Sequence, residues 1–193
     1  GLNALLWYSR EKAIHQADTN AEVLAWGGEY VEEAGAELVL HYKELAVMGF
    51  WEVIKQYPKI KKYLNFCKKD IIRTNPDVVI LVDFGGFNKR IAKFCKETGI
   101  KVFYYISPKV WAWNQSRAKG LKATVDRMFC ILPFEKEFYK KFDWEVDYVG
   151  NPVMDAVNAH KVDGEFLKKW NLSDKKPVVA LLPGSRKQEL ANM

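Results

Sequence analysis

An aspartate set directly behind an apolar run is placed to do chemistry. In Val78-Val79-Ile80-Leu81-Val82-Asp83 the run reads as a buried strand. The carboxyl ends of such strands are where α/β sheets present ligand-binding and catalytic groups. The turn Phe84-Gly85-Gly86-Phe87-Asn88 follows, and its glycines let backbone approach a ligand closely. Asp83 is therefore a candidate general base for an attacking hydroxyl, and Asn88 a candidate substrate contact. An Asx turn or a helix cap is the structural alternative for Asp83.

A second candidate lies in Leu181-Leu182-Pro183-Gly184-Ser185-Arg186-Lys187-Gln188-Glu189. An apolar segment, Val178 to Leu182, runs through a Pro-Gly turn into a helix start. Backbone N–H groups at such a start attract phosphate, and Gly184, Ser185 and Arg186 are the candidate contacts. Ser185-x-x-Gln188 also fits a capping box, which is compatible with anion binding. Trp111 and Trp113, one residue apart in Ser107-Pro108-Lys109-Val110-Trp111-Ala112-Trp113, either line an acceptor groove or plug the space between loops. Val47, Met48, Phe50, Trp51, Val53 and Ile54 precede Lys55, Lys59, Lys61 and Lys62. Apolar bulk with lysines close behind suits a membrane surface, and a core helix with a solvated lysine face suits the same pattern. The run is too short to span a bilayer.

These groups need a scaffold. Strand candidates at Ala21–Trp26, Glu37–Leu40, Val78–Val82, Lys101–Ile106, Met128–Leu132, Val146–Val149 and Val178–Leu182 alternate with helical stretches such as Asn88–Glu97 and Glu135–Phe142. Apolar strands separated by helices predict an α/β fold with a doubly wound, Rossmann-like parallel sheet. Residues 1–16 read as a helix with no strand before it. The expected division is a Rossmann-like domain over 1–159, a linker over 160–176 with a short helix near Phe166–Trp170, and the start of a second domain over 177–193.

Among 193 residues, Cys67, Cys95 and Cys130 are scattered in apolar surroundings, which favours buried thiols over a disulfide framework. His15, His41 and His160 have no ligand-spaced partners, so no metal site and no cofactor are expected. The net charge of +6 suits an ordinary basic surface, an anionic membrane or an anionic substrate. Nucleic acid is the weakest of the partners, because no recognition motif accompanies the lysines.

Four stretches together resemble the lipid-A-disaccharide synthase family: Glu44–Phe50, Tyr105–Trp113, Ile131–Tyr139 and Leu182–Arg186. In order and spacing they cover roughly Asn20 to Glu189. The resemblance implies a glycosyltransferase of two Rossmann-like domains on the cytoplasmic face of the Gram-negative inner membrane. It implies inverting, metal-independent transfer from UDP-diacylglucosamine to diacylglucosamine 1-phosphate, with release of UDP. By position, it makes Asp83 the base and puts Gly184, Ser185 and Arg186 on the nucleotide-sugar side. It makes the 47–54 patch the membrane and acyl contact.

The chain departs from the family pattern in places. Gly85-Gly86 stands where the family commonly has Pro-Asp. The opening strand and Gly-x-x-Ser-Gly-Asp loop have no counterpart, and residues 1 to about 12 match poorly. Little of the second domain is represented, so the chain is expected to be inactive alone. Another two-domain sugar-nucleotide enzyme, or a non-catalytic acyl-binding module, are the competing readings.

Overall fold

The computed structural model describes residues 13–41, 57–161, 163–172 and 176–181. The amino-terminal helix is seen as residues 13–17. The rest of that segment, the 47–54 patch and the 182–189 loop lie outside the described residues.

Among the described residues every strand pairing is parallel, in keeping with the apolar runs of β3 and its neighbours. β1 (Leu24–Gly27) leads through α1 (Glu29–Glu33) to β2 (Glu37–His41), and the two form a small sheet. After α2 (Tyr57–Thr74) comes a four-stranded sheet in the order β3-β4-β5-β6. Its strands are β3 (Val78–Val82), β4 (Lys101–Tyr105), β5 (Arg127–Cys130) and β6 (Asp147–Tyr148). Between them run α3 (Gly85–Glu97), α4 (Val110–Trp113), α5 (Arg117–Lys122) and α6 (Phe134–Lys140). This is a Rossmann-like α/β architecture. The doubly wound sheet resolves as two sheets here, since among the described residues β1 pairs only with β2 and the outer edge of β3 is unpaired.

The core lies where the helices cover the sheet. Val102 and Tyr104 of β4, Met128 and Cys130 of β5, and Ile91, Ala92 and Cys95 of α3 are all at most 1% exposed. The α3 positions recur at helical spacing, so one face of that helix is buried and, apart from Asn88, apolar. The helix stops at Gly99, whose φ of +77° suits a glycine after the last turn. There the N–H of Ile100 donates to the carbonyl of Cys95 at 2.9 Å.

On the small sheet, Trp26 stacks against Phe66 and Phe87, with centroids at 5.4 and 6.2 Å. Its indole N–H reaches Asp70 at 3.4 Å. These contacts join β1 to α2 and α3.

The chain divides into two compact units, Gly1–Asp155 and Ala156–Met193, with the boundary inside α7 (Pro152–Ala159). The first unit carries all six strands of the described residues. The second contains α8 (Phe166–Lys169), close to the short helix expected near Phe166–Trp170.

Of the strand expected at Val178–Leu182, the described part is not formed: residues 177–181 are irregular. Val179 is 88% exposed and Leu181 75%. An extended apolar segment holds strand geometry only through neighbours to pair with, and the described residues supply none.

Candidate active site

The backbone at the carboxyl ends of β3 and β4 turns sharply. Asp83 and Phe84 have φ of 46° and 42°, and Ile106 has 64°. Left-handed backbone is unfavourable for residues bearing a Cβ, most of all for a β-branched one. Three such residues at adjacent strand ends mark the strain that functional sites concentrate. The turn's glycines do not take up this strain. Gly85 and Gly86 open α3 without positive φ, and the left-handed conformations fall on the two residues before them.

Several hydrogen bonds hold the Asp83 peptide. Its N–H donates to the carbonyl of Tyr105 at 3.1 Å, continuing the β3–β4 ladder by one residue. Its carbonyl accepts from the Asn88 amide at 2.8 Å and from the Tyr104 hydroxyl at 2.5 Å. Asn88 also donates to the carbonyl of Val82 at 3.0 Å. Burial pushes the Tyr104 phenol well above its ordinary range, and a hydrogen bond with Asn88 partly opposes that rise. With its main chain tied down, Asp83 leaves its side chain exposed, and among the described residues the carboxylate forms no ion pair or hydrogen bond. A carboxylate so placed is free to accept a proton.

Asn88 is 8% exposed, and its amide N–H groups are used on backbone carbonyls. Both of these bonds brace the strained turn.

The two tryptophans separate. Trp111 packs edge-on against Phe134, centroids 5.0 Å apart, and its indole N–H is enclosed without a partner. Trp113 is 89% exposed.

Beneath this loop, the hydroxyls of Ser107 and Tyr139 lie 2.7 Å apart in the interior. The buried Glu135 carboxylate accepts from the N–H of Leu132 at 3.0 Å at the start of α6. Cys130 joins the same cluster, its thiol pushed up to about 12 by burial first and by Glu135 next. These groups fix the loop after β4 to the loop after β5. Nothing in the sequence singled out Tyr104, Tyr139 or Glu135. Tyr104 could have been found only from the β3–β4 register, which sets it opposite Leu81.

Among the described residues, no three His, Cys, Asp or Glu side chains are placed to hold a metal ion. No described helix is long and apolar enough to cross a membrane.

Fold and site define a Rossmann-like α/β protein with an exposed, backbone-clamped carboxylate at the carboxyl edge of its parallel sheet. The chain belongs to the lipid-A-disaccharide synthase family: the profile described as Lipid-A-disaccharide synthetase matches residues 7–193. The match thus begins within the amino-terminal segment expected to fit poorly. Proteins named lipid-A-disaccharide synthase include one from Coxiella burnetii (strain Dugway 5J108-111), 37% identical over 93% of this chain and 48% of the relative. One from Myxococcus xanthus (strain DK1622) is 41% identical over 86% of this chain and 44% of the relative. That from Geobacter metallireducens (strain ATCC 53774 / DSM 7210 / GS-15) is 41% identical over 94% and 47%. The chain spans about half the length of the curated relatives it matches.

Proposed function

We propose that this chain forms the acceptor-side part of a lipid A glycosyltransferase. In this reading UDP-diacylglucosamine is the donor and diacylglucosamine 1-phosphate the acceptor. Asp83 takes the proton of the acceptor hydroxyl as that oxygen attacks the anomeric carbon, with inversion, and UDP leaves. Gly184, Ser185 and Arg186 meet the donor's phosphates at a helix start. They belong to a nucleotide-sugar domain beginning near residue 177, after a linker over 160–176. The reaction needs no metal.

One observation carries the reading. At the carboxyl end of β3, Asp83 has its main chain locked into a strained turn while, among the described residues, its exposed carboxylate stays unpaired. Family membership supplies the reaction class. General-base help is typically worth ~10²–10⁴-fold. In a protein of the relatives' full length carrying these residues, Asp83→Asn is expected to lower UDP release by at least that order, with folding intact. Near-normal turnover would remove Asp83 from the mechanism.

The acylated substrates reside in a membrane. On this reading the 47–54 patch and its lysines bring the protein to the anionic cytoplasmic face of the inner membrane. Binding to anionic liposomes should weaken with salt and with Trp51→Ser. Binding indifferent to both would rule that account out.

A further inference from the structure

Beside the Asp83 turn, the loop after β4 and the first residue of α5 enclose an open recess of about 200 Å³. Pro108, Lys109, Val110, Trp113, Asn114 and Arg117 line it. It adjoins the turn directly: a Cβ built on Gly85 would lie 3.5 Å from Cβ of Pro108.

We propose that this recess binds a phosphorylated hexose, with Arg117 and Lys109 taking the phosphate and the Trp113 indole covering the sugar ring. Three observations support the proposal. The lining holds two cations and no carboxylate. Among the described residues, neither the Lys109 nor the Arg117 side chain has an ion pair, whereas Arg73 and Arg127 are paired with carboxylates at 2.7 and 2.8 Å. Unpaired cations sharing one concavity attract an anion. A guanidinium matches two phosphate oxygens at once, and an ammonium adds a point charge. Finally, Trp113 is 89% exposed although Trp111, two residues earlier, is packed. An indole left in water beside two cations offers a flat apolar face to the C–H side of a pyranose.

Size narrows the ligand. Sites that enclose a whole drug-sized molecule run ~300–1,000 Å³, so this recess takes a sugar-phosphate head and leaves any acyl chains outside. The site rests on the glycosyltransferase reading only where the hexose phosphate is equated with the acceptor, whose hydroxyl the Asp83 turn would then meet. Binding itself does not depend on that reading.

The test follows backbone amides and the Trp113 indole N–H by NMR in the 193-residue chain. The probes are glucosamine 1-phosphate, unphosphorylated glucosamine, inorganic phosphate, UDP, and phosphatidylglycerol vesicles. Glucosamine 1-phosphate is expected to shift the Trp113 indole and the amides of residues 108–117 saturably, and more tightly than phosphate or glucosamine alone. Arg117→Gln and Lys109→Gln should each weaken it about tenfold, the worth of one charge-assisted hydrogen bond. Trp113→Ala should weaken the sugar phosphate and leave inorganic phosphate unchanged.

Equal affinity for phosphate with and without the sugar would overturn the proposal in favour of a bare anion site. Shifts from UDP or vesicles alone would overturn it in favour of a nucleotide or a lipid surface. Binding to the 193-residue chain reads the recess, and turnover of Asp83→Asn in a protein of the relatives' full length reads the catalytic assignment. If that variant keeps full turnover, the catalytic reading fails and the recess remains.

Discussion

The Tyr104 hydroxyl and the Asp83 main-chain carbonyl meet at 2.5 Å, so a fully buried phenol on β4 holds the left-handed turn that carries the candidate base on β3. Tyr104 touches no reacting atom in this arrangement. It acts through the direction in which Asp83 is aimed, as does Asn88 from the opposite element.

Tyr104→Phe keeps the ring and removes this donor. A net loss of about 0.5–1.5 kcal/mol is expected from one such hydrogen bond, measured by urea unfolding. In a transfer assay on the full-length enzyme, kcat should fall about tenfold with KM little changed, since orientation of the base is disturbed and binding is not. A double cycle with Asn88→Ala should be non-additive, because both donors serve one carbonyl. Strict additivity would separate them.

Gly86 offers a second test. A Cβ there meets nothing within 4 Å, and its φ is not positive, so no steric reason requires glycine. It lies in the first turn of α3, where a carboxylate faces the positive end of the helix. Gly86→Asp should therefore stabilise the fold by about 0.5–1 kcal/mol. The measurement is the urea midpoint with the slope unchanged.

The thiols set the alkaline limit. Burial raises Cys67 and Cys130 to about 12 and Cys95 to about 11, from an ordinary 9.0. With folded values above unfolded ones, the unfolded chain releases these protons first. The stabilisation is complete below pH 9 and is lost progressively between about 9 and 12. Unfolding free energy should hold steady from pH 7 to 8.5 and decline above 9, and Cys130→Ala should flatten the decline. Near neutral pH, Cys95 and Cys130 should resist a thiol reagent until denaturant is added.

The apolar runs of β3, β4 and β5 were readable because parallel strands covered by helices need no polar alternation. Their ends were less so: β4 stops at Tyr105, one residue early, because Ile106 is left-handed. The Asp83 position was readable for the same reason as its strand. The way it is held was not. Glycines at 85 and 86 suggested where the backbone would bend, yet the unusual φ values sit on Asp83 and Phe84. Hydrogen bonds from distant residues impose them, and sequence spacing carries no sign of those bonds. Asn88, expected as a substrate contact, braces the turn through its amide N–H groups. Tyr104, between other strand aromatics, looked like core and is both core and brace. The Val178–Leu182 run had strand composition, yet the described residues supply no pairing partner for 178–181, which local composition cannot reveal.

The open flank of β3 has a practical consequence. Val78 to Val82 is a wholly apolar sequence, with Ile80 37% exposed, and its outer row of backbone donors and acceptors is unpaired among the described residues. Such a border is a template for another extended chain wherever no strand of the same molecule covers it. Its composition suits the middle of a sheet and contains none of the charges or prolines that guard a rim. Ile80→Lys would act as a gatekeeper against such self-association.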